Sequence, residues 1–144
     1  MISTPASALD EKPRWFADQS DDEAVALWGI PETDAVGFSL RCEGGGAVVM
    51  APALYAVEEP EVMPDVAFTV DGEAYVRPVT LRYSERDAAW QAVARVGKTD
   101  ALIAALRRGS KLTYDFAPPL RDGDMFSLSL SGSARAIDAA LKRC

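Results

Sequence analysis

The chain has 144 residues, with 22 acidic side chains against 15 basic ones, a formal charge of −7 and no histidine. This length supports one core, and the acidic excess disfavours nucleic acid and anionic membrane surfaces as partners. Without imidazole there is no histidine-based Ser or Cys triad and no histidine-ligated metal, and two cysteines alone cannot complete a common Cys/His zinc site.

Residues 1–13 read as a flexible tail. They lack the basic start and apolar run of an intact signal peptide, although Ala6-Ser7-Ala8 resembles a cleavage site. The triplet is read either as the trace of a trimmed leader or as part of a polar tail. The longest apolar stretch, Ala47 to Val57, contains Pro52 and falls well short of the roughly 20 residues of a membrane helix. Residues 14–144 are predicted to form a single β-rich domain.

From Arg14 to Tyr83 short alternating runs are separated by turn residues, the pattern of antiparallel strands. Phe38, Leu40 and Cys42 share one face, and Gly44-Gly45-Gly46 then turns the chain toward Ala47-Val48-Val49-Met50. The loop from Glu58 to Pro64 combines glutamates with prolines and cannot be a central strand. Asp71-Gly72 gives the sharpest hairpin signal. It lies between Val66, Phe68 and Val70 on one side and Tyr75, Val79, Leu81 and Tyr83 on the other.

For residues 87–96 two rules compete. Ser84-x-x-Asp87 resembles a helix start, whereas Trp90, Ala92, Ala94 and Val96 alternate as in a strand, the reading preferred here. Thr99 is the expected N-cap of a helix running through Arg108, with Leu102, Ile103 and Leu106 as its apolar stripe and Gly109 as its stop. Leu112, Tyr114 and Phe116 alternate next. In Phe126-Ser127-Leu128-Ser129-Leu130-Ser131 apolar residues alternate with serines as in a strand with one buried face. After Gly132, Ser133 is expected to cap a helix in which Ile137, Leu141 and Cys144 recur on the core side.

Cys42 and Cys144 therefore both approach the core, which favours a bridge between them. On the chain-entropy model, closing a loop of about 100 residues contributes up to about 4.7 kcal/mol. Such bonds persist only in oxidising compartments, so the periplasm or the exterior is the expected location. The alternative is two buried, reduced thiols.

Other motifs carry weaker chemistry. Ala92-x-x-x-x-Gly97-Lys98-Thr99 fits a loose phosphate loop, but its first glycine is alanine, and a turn with a helix cap explains it. Asp122-Gly123-Asp124 offers two carboxylates, fewer than a calcium site needs, and reads as a polar turn. Glu58, Glu59, Glu61 and Asp65 form the candidate acidic patch for a basic partner, against the plainer reading of a solvated loop. Trp15, Trp28 and Trp90 read as core packing before ligand contacts. Arg107, Arg108 and Lys111 read as solvated helix-end charges.

Several of these residues recur together. An early Trp15, a strand ending in Cys42, Val70-Asp71-Gly72, Ser84 to Asp87, Leu106-Arg107-Arg108-Gly109, the Phe126 to Ser133 run and the final Cys144 occur in order. This order resembles the VasI-like family of small exported bacterial proteins, some encoded beside type VI secretion systems. The resemblance implies a periplasmic β-sandwich-like domain, a Cys42–Cys144 bridge and an accessory role with no established catalytic residues. The acidic 58–64 loop and Ser133 depart from the family pattern.

The expected molecule is thus a mainly β, antiparallel sandwich-like domain with two short helices, the second at the C-terminus. The expected function is non-enzymatic binding of another envelope protein, without cofactor or metal. The alternative is a small hydrolase or ligand-binding enzyme with a carboxylate-lined cleft.

Overall fold

Period-two alternation of apolar residues dictates most of the architecture, because a strand presents successive side chains to opposite faces. The computed structural model describes residues 12–20, 23–120 and 126–144. The strands are β1 (Arg14–Ser20), β2 (Glu23–Gly29), β3 (Val36–Gly44), β4 (Ala47–Pro52), β5 (Tyr55–Ala56), β6 (Asp65–Val70), β7 (Glu73–Ser84) and β8 (Ala89–Gly97). Helix α1 (Ala101–Arg108), β9 (Lys111–Ala117), β10 (Phe126–Ser129) and helix α2 (Ser133–Leu141) complete the order. Asp122-Gly123-Asp124 and most of the N-terminal tail lie outside the described residues.

The strands form one 10-stranded antiparallel sheet in the order β1-β2-β3-β4-β8-β7-β6-β9-β10, with β5 added on β8. The sheet folds over on itself through β7. Residues 73–78 of that strand pair with β6, and residues 79–84 pair with β8. Pro78 sits at the crossover, where a residue without an N–H interrupts the ladder least. The curl brings the two outer strands together, so that Trp15 Nε1 on β1 donates to the Ser129 carbonyl on β10 at 2.8 Å.

Both glycine-directed hairpins form. Asp71 and Gly72 take φ of 49° and 90°, as a two-residue turn between Val70 and Glu73 requires, and Gly45 and Gly46 take 63° and 80° between β3 and β4. Phe38, Leu40, Met50, Phe68, Leu112 and Tyr114 are fully buried between the folded halves, joined by Leu102 and Leu106 of α1 and Ile137 of α2. Each fully buried Leu or Phe contributes about 1.5–3 kcal/mol relative to exposure.

The strand reading of 87–96 is correct: Ala92 and Ala94 of β8 face the core, with Trp90 and Val96 packed against it. Ser84 and Asp87 close a tight turn, Ser84 Oγ donating to Asp87 Oδ2 at 2.8 Å while the Asp87 amide donates back to Ser84 Oγ. The hydroxyl of Ser84 holds the Asp87 carboxyl below the usual carboxylate range.

Both helix caps differ from expectation. Asp100, one residue beyond Thr99, caps α1 by accepting from the Leu102 amide at 2.8 Å. A carboxylate does this better than a hydroxyl because it also receives the Arg77 guanidinium in two bonds of 2.7 and 3.0 Å. Arg77 is accordingly the first cause of a lowered Asp100 pKa. At α2 the cap position is Gly132, with φ of 86°, and Ser133 lies inside the helix. The buried Ser133 Oγ donates to the Leu106 carbonyl at 2.6 Å, satisfying an acceptor at the end of α1 that has no intrahelical donor. Arg107 is likewise engaged, in two bonds to Asp138 of α2 at 2.7 and 3.0 Å.

Cys42 and Cys144 are joined, with Cα atoms 5.5 Å apart. The bridge ties the end of β3 to Cys144, three residues past the end of α2. Lys98 Nζ adds a 3.0 Å bond to the Cys144 carbonyl at the same corner. No helix among the described residues is long and apolar enough to cross a membrane.

Candidate functional site

The opposite end of the strands carries a cleft of about 800 Å³. One wall is the segment from Ala53 to Glu61, which includes the short β5. The floor and far wall come from Tyr114, Asp115 and Phe116 of β9, from Leu120, and from Phe126 at the start of β10.

The Ala53 wall is fastened by backbone bonds to its neighbours. The Ala53 amide donates to the Gly37 carbonyl at 2.9 Å and to Tyr114 Oη at 3.2 Å, and the Leu54 carbonyl accepts from the Ala92 amide at 3.0 Å. Gln91 Nε2 donates to the Pro52 carbonyl at 3.0 Å. Tyr114 itself donates to the Gly37 carbonyl at 2.7 Å, so one buried phenol joins β9, β3 and the wall. Burial pushes the Tyr114 phenol well above its ordinary value, which keeps it protonated as the donor this bond needs. Next along the wall, burial and then the Asp87 carboxylate raise the Tyr55 pKa.

Aromatic rings shape the floor. Phe126 stacks on Tyr114 with centroids 5.4 Å apart, and meets the edge of Trp28 at 6.0 Å. Gly37 lies under the Trp28 ring, and a Cβ there would come within 2.7 Å of it. Glycine at this position therefore leaves the space that the ring occupies.

Although Phe126 begins the alternating run expected to be buried, it is 41% exposed at the cleft mouth, whereas Leu128 and Leu130 are in the core. It stands at the strand's outer end, beyond the reach of the helices. Leu120 at 44% and Val57 at 73% continue the exposed apolar surface around it.

Glu58, Glu59 and Glu61 line the cleft and are exposed to water, with Asp115 as a fourth carboxylate. None of the four has an Arg or Lys within ion-pair distance among the described residues. Asp65 does not join them. It begins β6, paired with Pro78 and Ala117, and is absent from the cleft lining.

The floor was not legible as a site, because Tyr114, Phe116 and Phe126 carry the same alternating signal as any buried strand. Only the curl of the sheet sets them beneath the glutamates. Trp15 is buried, and Trp28 and Trp90 are partly buried against the core, as expected. Ala92 lies within β8, its amide bonded to Leu54, so it cannot act as the first residue of a phosphate cradle.

A smaller hollow of about 340 Å³ lies beside the disulfide. Among the described residues it is lined by charges of both signs, Glu23, Glu43, Lys142 and Arg143.

No protein-family model matches the chain, and no curated protein matches it. Among solved structures its fold is similar to the crystal structure of invasion associated protein b from Bartonella henselae, with a TM-score of 0.52. That likeness covers 92% of this chain and 97% of that one at 18% sequence identity, and is a likeness of fold.

Proposed function

We propose that this chain is a non-enzymatic binding domain of an oxidising compartment, the periplasm or the cell exterior, and that it engages another envelope protein through the cleft beneath residues 53–61. One observation carries the reading: Phe126 and Leu120 lie open to solvent, over the buried rings of Tyr114 and Phe116, beside carboxylates that have no ionic partner among the described residues. Apolar surface of this kind supplies affinity when covered, and rim charges supply orientation. The compartment is inferred from the Cys42–Cys144 bridge, because cytosolic thiols are kept reduced. An accessory role beside a secretion apparatus, as the VasI-like resemblance implies, belongs to the same proposal. So does a role in invasion, the word in the structural neighbour's name.

The hydrolase alternative requires a carboxyl group desolvated enough to hold a proton near neutral pH. Glu58, Glu59 and Glu61 are instead exposed at the rim, an arrangement that favours recognition over proton transfer.

The test is affinity capture from an envelope extract with the oxidised protein as bait, beside Phe126→Ala and Leu120→Ser baits. A specific partner retained by the parent and lost by both variants is the expected result. Equal retention by all three would remove the cleft from the proposal. Intact mass with and without reductant checks the compartment, since two alkylatable thiols in the unreduced native protein would contradict it.

A further inference from the structure

Resting on that reading of the cleft, we infer that its occupant is a cationic amphipathic stretch of protein chain, with apolar side chains seated on Val57, Leu120 and Phe126 and Lys or Arg side chains paired with the acidic rim. The charge pattern selects the sign. Glu58, Glu59 and Glu61 follow one another along one wall, and Asp115 adds a carboxylate from β9. No lysine or arginine lines the cleft among the described residues. The whole chain adds a field of the same sign, with a formal charge of −7.

An anionic amphiphile would therefore bring its head group against four carboxylates over the very surface that attracts its apolar part. A neutral apolar ligand would cover the floor and leave the rim unused.

The shape selects a chain. Three of the four acids follow one another along one loop, which suits a ligand whose charges also repeat along its length. A partner segment alternating apolar and basic residues can place one set on the aromatic floor and the other on the rim. Exposed ion pairs are individually weak, so the apolar contacts supply most of the affinity and the rim supplies discrimination.

The experiment uses the full oxidised chain and three short synthetic peptides: one with leucines flanked by lysines, a twin with glutamate for each lysine, and a twin with serine for each leucine. Affinities come from fluorescence anisotropy, and the bound site comes from NMR shifts. The Leu/Lys peptide is expected to bind at least about tenfold more tightly than either twin, a ratio that a few weak ion pairs can supply together. Its shifts should centre on Leu54, Val57, Phe116 and Phe126.

Combined Glu58→Lys, Glu59→Lys and Glu61→Lys substitution should reverse the preference toward the glutamate twin. Because these positions are exposed, the variant is expected to fold, and circular dichroism checks that it does.

If the two charged peptides bind equally and both lose binding in Phe126→Ala, the cationic occupant is wrong while the cleft remains the binding site. If none of the peptides shifts the cleft resonances, or binding survives both sets of substitutions in folded protein, both readings fall.

Discussion

At the Cys42 end of β3 the chain is tied down by the disulfide, by Lys98 on the Cys144 carbonyl and by Arg77 on the capping Asp100, while Arg107 on Asp138 and Ser133 on the Leu106 carbonyl join the two helices. At the Gly37 end, about 17 Å away at the usual strand rise, Tyr114 fastens the Ala53 segment, and beyond it Val57, Leu120 and Phe126 stand exposed. The same strands run through both ends. Covalent and ionic ties therefore hold one end so that apolar surface, which would otherwise be buried for stability, can stay open at the other. Such surface normally marks a place of contact.

This division is open to test. Reducing the bridge, or combining Cys42→Ser with Cys144→Ser, should lower unfolding free energy by about 3–5 kcal/mol, as expected for a loop of about 100 residues. Urea titration measures it. Peptide affinity at the cleft should hardly change while the protein remains folded, and a parallel loss of affinity would show that the ends are coupled.

Asp100→Ala should cost about 2 kcal/mol, because it removes the α1 cap and leaves Arg77 without its carboxylate. The same residue gives the tied end its acid sensitivity. Its folded pKa is lowered, as is that of Asp138 beside Arg107, so their contribution is present above the unfolded carboxylate value of about 4 and is lost as pH falls through the lower folded values. Urea midpoints of parent and Asp100→Asn should therefore converge below about pH 4. A constant gap would assign the effect to packing alone.

Tyr114→Phe should cost about 1–2 kcal/mol, since it removes the donor to Gly37 and one of two acceptors for the Ala53 amide. Faster hydrogen exchange at Ala53 and Leu54, without change at the helices, would localise the effect to the cleft end. The smallest change is expected for the triple lysine substitution at Glu58, Glu59 and Glu61: thermal unfolding should move by the equivalent of about 0.5 kcal/mol or less, as for exposed positions elsewhere. A larger loss would give these glutamates a structural task.

Where a signal lies within a few residues, it was readable. Asp71-Gly72, the glycine run after Cys42 and the Leu102, Ile103 and Leu106 stripe all led to the elements that form. The misplaced caps show the limit. Thr99 and Ser133 have the right chemistry for capping, but Arg77, from a distant strand, makes Asp100 the better cap, and the buried Leu106 carbonyl at the end of α1 offers Ser133 another acceptor. At the cleft the acidic loop was visible as three closely spaced glutamates, whereas its floor was not, and Asp65 was grouped with them only because it is near in sequence.

The sequence by itself determined the antiparallel β class, the two helices and the approach of Cys144 to the core, because alternation and helical periodicity depend on a residue's own neighbours. The curl of the sheet through β7 and the meeting of β1 with β10 are decided in three dimensions. So is the conversion of Phe126 from apparent core residue to cleft floor. Each depends on which distant surfaces meet, and local periodicity, which is the same for a buried strand and for the strand beneath a binding cleft, carries no record of that.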